Sequence, residues 1–455
     1  MEPETEEQVY PVPLLPPEIW RKILDLAANS FPAPIPQHDH AFQFRTTYPN
    51  FSSRDRQSLQ LASTSTKLAM SLVCHTWNQL SKEFLYEVVN ITYFSQIQAL
   101  ARTLREKADE GIEGAAHPAW WIRCVEIDLP LTNDQAVEWA QTLKLIVSYG
   151  MLEHYFHLAE GFPNESHVNS FVLHQLIPPL PSSSQANEGI EGANPRDQTR
   201  PLEALHLSDI PTYPFAYHVR GYADILGPSL SQLKCLTLGV TESATYFNEI
   251  SSGEIHLPSL HTLRVWGDYN VLSKPALWKL PSLKAFSASR RKLPRSEDSN
   301  TTLGNFFSIH GRSLEELEID DRTWKADKIH ADCPNIRTLR IPAEDLSRFN
   351  LQNLLFPKIT HLALTRVMEH MRIGMAMSLF EAMEPFTNLK IVQDLDYTAT
   401  PAKSRLPSPR RTNTPKHLAL LDELNYRLSE RGVTLIDWTD TSMGKVPSTQ
   451  SAITK

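Results

Sequence analysis

The residue types able to do chemistry are present in this chain, but rarely at the spacings that chemistry needs. His38, Asp39 and His40 form a short run that could offer two imidazoles to a metal. A tetrahedral zinc site requires a third and a fourth ligand, and the run instead lies in a stretch carrying Pro32, Pro34, Pro36 and Pro49, which reads as a solvated loop. His154 and His157 stand three apart around Tyr155 and Phe156 and read as ordinary histidines of a repeat strand or short helix rather than as ligands. No Walker-type phosphate loop, dinucleotide fingerprint, nucleophile elbow or H-E-x-x-H zinc helix occurs. The four cysteines, Cys74, Cys124, Cys235 and Cys333, are far apart and never in a C-x-x-C pair. They read as reduced thiols of a cytoplasmic or nuclear protein rather than a disulfide framework. These observations set the expectation of a chain that is not an enzyme and carries no cofactor and no metal.

Composition narrows the partners. With 44 Lys and Arg against 52 Asp and Glu the net charge is −8, so a nucleic acid, whose binders carry a basic face, is not expected. The opening MEPETEEQVYPVP is acidic and lacks the apolar centre of a secretory signal, and no apolar run approaches the 18 or so residues of a membrane span. One locally basic segment stands out at 401–416, with Lys403, Arg405, Arg410, Arg411 and Lys416 and no acid. It reads as a loop, with a nuclear-import patch or a modification site at Ser408 or Thr414, each followed by proline, as the sharper alternative.

The elements that must position any binding surface announce themselves as a repeat. A segment L-x-x-L-x-L recurs from Leu202, Leu233, Leu260, Leu283, Leu314, Ile336 and Ile359, at intervals of 31, 27, 23, 31, 22 and 23 residues. An earlier copy is read at Ile122, and weaker ones at Leu152, Leu389 and Val433. Alternation at the end of each segment gives a short strand with one apolar face. Such a strand cannot bury that face alone, but parallel copies stacked side by side share one core while the intervening residues cross back over it. Pro258, Pro281, Pro334 and Pro357 each sit two residues before the first anchor, where they stop the return and lead the chain into the strand. Between the copies at Ile122 and Leu152, Asn133 or Asp134 is expected to cap a helix that buries Ala136, Trp139, Ala140, Leu143 and Ile146 and stops at Gly150.

Ahead of the repeats, residues 14–28 read LLPPEIWRKILDLAA. Pro16 and Pro17 suit a helix start. Ile19, Ile23 and Leu26 then form one apolar stripe, with Trp20, Leu24 and Ala27 a second beside it. A short helix needs only one stripe for its own module, which leaves the other for a partner. A second helix is expected across 68–89, aligning Val73, Trp77 and Leu80.

The combination of L-P-x-E-I-x-x-x-I, then V-C-x-x-W, then an apolar L-Y, followed by degenerate L-x-x-L-x-L copies, resembles F-box proteins with leucine-rich repeats of the kind found in fungi. The repeat resemblance covers roughly residues 120 to 395. It implies an α/β protein: an F-box-like helical module at 14–90 with an inserted loop at 29–55, then a solenoid at 91–399 of short parallel strands with helical or irregular returns. An acidic tail at 1–13, a basic loop at 400–415, a helix-and-strand cap at 416–438 and a second tail at 439–455 complete the division. By the same resemblance the chain is expected to be a substrate receptor of an SCF-type ubiquitin ligase. Leu15, Pro16, Ile19, Ile23, Val73, Cys74, Trp77 and Leu80 would dock the Skp-family adaptor and, through it, the cullin. The insertion at 29–55 departs from the family pattern and bears on that docking. Client contacts are expected on the sheet face lined by His206, Arg264, Trp266, Glu316, Glu318 and Arg340. The alternative is a repeat scaffold for protein interactions with no ubiquitin role.

Overall fold

A computed structural model describes residues 16–28, 63–112, 117–157, 202–210, 230–240, 255–267, 269–272, 276, 278–289, 298–320, 326–346, 356–365, 375–394 and 415–437. Among the described residues three helices come first: α1 (Pro17–Ala28), α2 (63–71) and α3 (His75–Glu87). The strands β1 (Val88–Ile91), β2 (Cys124–Ile127), β3 (His154–His157), β4 (Ala204–Ile210), β5 (Cys235–Val240) and β7 (Thr262–Gly267) then follow in one sheet. It continues through β9 (Ala285–Ser289), β10 (Glu316–Asp320), β11 (Thr338–Pro342), β12 (His361–Thr365), β13 (Ile391–Asp394) and β14 (Thr434–Asp437). All twelve strands are parallel, and their order in the sheet is their order in the sequence. That is the topology of a solenoid-like α/β stack. A separate pair, β6 (Ile255–His256) and β8 (Trp278–Lys279), lies in two of the returns.

Register follows the repeat. The second anchors of successive copies face one another without slip, as in Leu236 with Leu263, Leu263 with Phe286, Phe286 with Leu317 and Leu317 with Leu339. A shift of one residue would turn every anchor to the other face. A second ladder fixes the strand entrances. One carbonyl per copy accepts two amides from the next: Lys284 takes Glu315 and Glu316, Glu315 takes Arg337 and Thr338, and Arg337 takes Thr360 and His361. The prolines act as foreseen and close a tight turn. In each of the four copies the amide of the first anchor donates to the residue before the proline, as Leu260 does to Leu257 and Ile336 to Cys333. Proline's fixed φ suits the second position of such a turn.

The returns cover one sheet face. Helices α4 (Phe94–Asp109), α5 (Asn133–Tyr149) and α6 (Asp298–His310) bury Ile97, Leu104, Trp139, Leu143, Phe306 and Phe307 against the anchors in one continuous core. Shorter helices do the same work later: α7 (Ala326–Asp332), α8 (Ala343–Leu346) and α9 (Met375–Ala382). The cap of α5 differs from expectation. Thr132, not Asn133 or Asp134, accepts the Gln135 amide, and the Gln135 side chain answers to the Thr132 backbone. At the far end α10 (Pro415–Glu430) buries Leu421, Leu424 and Leu428, and the chain reverses through Gly432 at φ +71 into β14. That left-handed turn suits glycine.

One strand of the main sheet was not foreseen. β1, read from Val-Val-Asn-Ile, pairs with β2 and starts the sheet directly after α3, with no intervening linker. The carbonyl of Glu87, the last residue of α3, accepts the Arg123 amide, so the helical module hands over straight into the strand ladder.

Within this junction His117 is fully buried, with its ring stacked 4.3 Å from that of Tyr149. Its Nδ1 accepts the Ala119 amide at 3.2 Å, so the proton belongs on Nε2, which lies 3.2 Å from the Leu104 carbonyl. Burial lowers its pKa, outweighing the Leu104 bond that favours the cation. Protonating Nδ1 would set two N–H groups face to face. An unfolded histidine titrates near 6.5, so the stability this ring contributes is complete above that pH. It is lost as pH falls toward the lower folded value. His117→Gln is therefore expected to show a smaller drop in melting temperature between pH 7.5 and 5.5 than the parent chain, measured by thermal denaturation.

Candidate functional site

Two regions were singled out from the sequence, and the structure treats them differently. In the helical module Leu24, Met70 and Phe84 form a small core of their own, with Trp77 and Leu80 packed against it. Trp20 meets Trp77 edge to face at 5.1 Å, and Arg21 lies 3.5 Å from Glu83 across the α1–α3 contact. The second stripe of α1 thus closes the module. The first does not: Ile19, Ile23 and Leu26 remain 44%, 40% and 67% exposed. Leu68, near the end of α2, and Leu72 and Val73, in the turn after it, are exposed large apolar residues as well.

The expected helix over 68–89 is two helices. Residues 72–74 form a turn, in which Val73 donates to the Met70 carbonyl and Cys74, in extended conformation, precedes α3. Val73 is consequently not on the face of Trp77 and Leu80. It is exposed, as are Cys74 and Pro16, whereas Trp77 and Leu80 are half-buried. Leu15, the loop at 29–55, and His38, Asp39 and His40 lie outside the described residues.

The sheet face opposite the returns departs from expectation more sharply. Its residues are expected to be open to a client. Instead Arg264, Glu318 and Arg340 are buried, at 3%, 3% and 4% exposure, together with Thr237, Ser287 and Gln393 of the same row. Glu318 stands in register between Ser287 and Arg340 and accepts the Ser287 hydroxyl at 2.9 Å. His206, Glu316 and Trp266 are partly exposed. The Trp266 indole lies over Gly239, where a Cβ would come within 2.2 Å of the ring. The middle of this face is therefore packed, and buried charges there are costly unless matched. Sequence alternation tells which face a residue points to, not whether that face is wet.

The chemistry available is correspondingly small. His154 and His157 are both buried in β3, and three residues along a strand puts them on opposite faces, so they cannot share a ligand. Cys124, Cys235 and Phe156 belong to an apolar cluster on the face opposite the returns. Burial pushes both thiols up, Cys124 further through the carboxylates of Glu126, Glu87 and Glu153, away from the thiolate a nucleophile needs. Cys333 is raised by burial in the same way. Among the described residues no three of His, Cys, Asp and Glu are placed to hold a metal ion, and no helix is long and apolar enough to cross a membrane.

No family model and no curated protein matches the chain. Among solved structures, a crystal structure of a Bacteroides fragilis protein from a structural genomics programme aligns over 74% of this chain and 72% of its own. Identity is 11% and the TM-score 0.29, a likeness too slight to carry an argument.

Proposed function

We propose that the chain is the substrate-recognition adaptor of an SCF-type cullin ubiquitin ligase. In this reading the N-terminal helices are an F-box that docks a Skp-family adaptor, and the sheet is a leucine-rich-repeat solenoid that holds a client protein. The observation that carries the reading is the division of α1: Leu24 is 1% exposed, whereas Ile19 and Ile23, one stripe away, stand largely in solvent, as Val73 also does. A small module that already has its core but leaves large aliphatic residues outside presents a docking surface for another protein. The repeat supports the second half, because in-register parallel copies at leucine-rich spacing build an extended platform. Ligation then gains from proximity: tethering raises the effective concentration of a client lysine near the loaded ubiquitin, and the receptor itself supplies no reacting group.

The test is direct. The purified chain mixed with a Skp-family adaptor and cullin is expected to elute from a sizing column as one complex. A folded chain that never shifts the adaptor would overturn the reading and leave the repeats as an interaction scaffold.

A further inference from the structure

The rim of the sheet at the strand entrances carries one side chain per copy, the first x of L-x-x-L-x-L, fixed in place by the backbone ladder described above. Over the earlier copies this rim neutralises itself. Arg123 lies 3.5 Å from Glu153, Lys234 bonds Glu203 at 2.9 Å, and Lys284 bonds Glu315 at 2.7 Å. From Glu315 onward the pattern stops. The next rim positions are Arg337, Thr360 and Lys390, and the turns beside them add Arg312 and Lys358. All four cations are exposed. Among the described residues none of them has a carboxylate within ion-pair distance, although Asp332, Glu381 and Glu384 belong to the same copies. Glu315, the one acid at the head of the strip, is held by Lys284, whose hydrogen bond keeps its carboxyl below the ordinary range, with a smaller electrostatic contribution from Arg337. Asn335 donates to the Arg312 carbonyl, and Lys358 to the Asn335 side chain, which ties the successive turns to one another.

We infer that this rim over β10–β13 is a docking strip for an extended acidic segment of a partner protein. These four cations stand on one rim of a chain whose net charge is −8. Strands about 4.8 Å apart place the strip over about 15 Å, the length of roughly five residues in extended conformation. A polynucleotide fits less well, because the chain's overall negative charge opposes a phosphate backbone. The inference refines the client-binding half of the function proposed above. It is tested on the chain alone, so its failure and the failure of adaptor capture are separate results.

The experiment is fluorescence anisotropy of a labelled hexaglutamate peptide titrated with the full chain at low salt. Binding is expected to weaken steadily with added salt, as exposed ion pairs do. Arg337→Glu combined with Lys390→Glu is expected to weaken it by on the order of tenfold or more. Arg337→Gln with Lys390→Gln should give a smaller loss, and Arg102→Glu, on α4, none. Matched melting temperatures show that the variants are folded. Hexaglutamine binding as well as hexaglutamate, or an equal loss in Arg102→Glu, would overturn the inference. So would tighter binding of a single-stranded oligonucleotide of equal charge, which would assign the strip to nucleic acid.

Discussion

Replacing Ile19 or Ile23 with aspartate is expected to abolish the proposed capture of a Skp-family adaptor while leaving the melting temperature of the chain almost unchanged. Both side chains are about half in water already, so a carboxylate there stays solvated and costs the folded state little. In a complex the same carboxylate would be buried against apolar surface without a partner, and removing an interface anchor typically costs about 2 kcal/mol or more of binding, about thirtyfold in Kd. Leu24→Asp supplies the contrast. It sets a charge into the core made by Leu24, Met70 and Phe84 and is expected to unfold the helical module itself. Trp77→Ala is a poorer probe, because Trp77 packs on Trp20 and on that core, so loss of capture would mix binding with folding. Pull-down together with thermal denaturation separates the cases. Capture by Ile19→Asp and Ile23→Asp equal to that of the parent chain would remove the exposed stripe from the proposed interface.

How far the sequence could be read depended on whether a pattern was local. The strands were legible because each carries its own anchors, and copies as weak as Leu152, Leu389 and Val433 still form strands in the sheet. β1 escaped because its four residues follow α3 without a break, so that the run continues the apolar pattern of the helix. The helix break at 72–74 escaped because both flanking segments keep helical periodicity. The two stripes of α1 were visible, yet only the packing of α3 tells which one closes the module. The same limit applied to the second sheet face. Arg264, Glu318 and Arg340 alternate with leucine-type anchors as solvent-facing residues would, and nothing local in Leu-x-Leu reports that they are buried. The rim was the opposite case: its charges occupy a fixed slot of the motif and can be read copy by copy once the slot is known to matter.

Phe286→Ala is expected to lower stability by about 3–5 kcal/mol, as emptying a large aromatic site in a core typically does. It should also split one unfolding transition into two. Phe286 is fully buried at the middle of the sheet, in register with Leu263 on one side and Leu317 on the other. It replaces the aliphatic second anchor of the neighbouring copies and meets Phe306 and Phe307 of α6 at 4.9 and 5.2 Å, the latter edge to face. Three aromatic rings therefore fill the space between β9 and the long return that follows it, where no smaller neighbour can move in because the flanking anchors are held by strand register. In a stack of copies each unit is stabilised by its neighbours, so cooperativity across the whole depends on the weakest shared interface. Truncating Phe286 weakens that interface at the centre rather than at an end. Hydrogen exchange is expected to show β9 and β10 losing protection first, while β2 to β5 and β12 to β14 keep theirs to higher denaturant. A single transition, shifted but still coincident for both halves, would mean that coupling runs through the backbone ladder at the strand entrances instead of through the aromatic core.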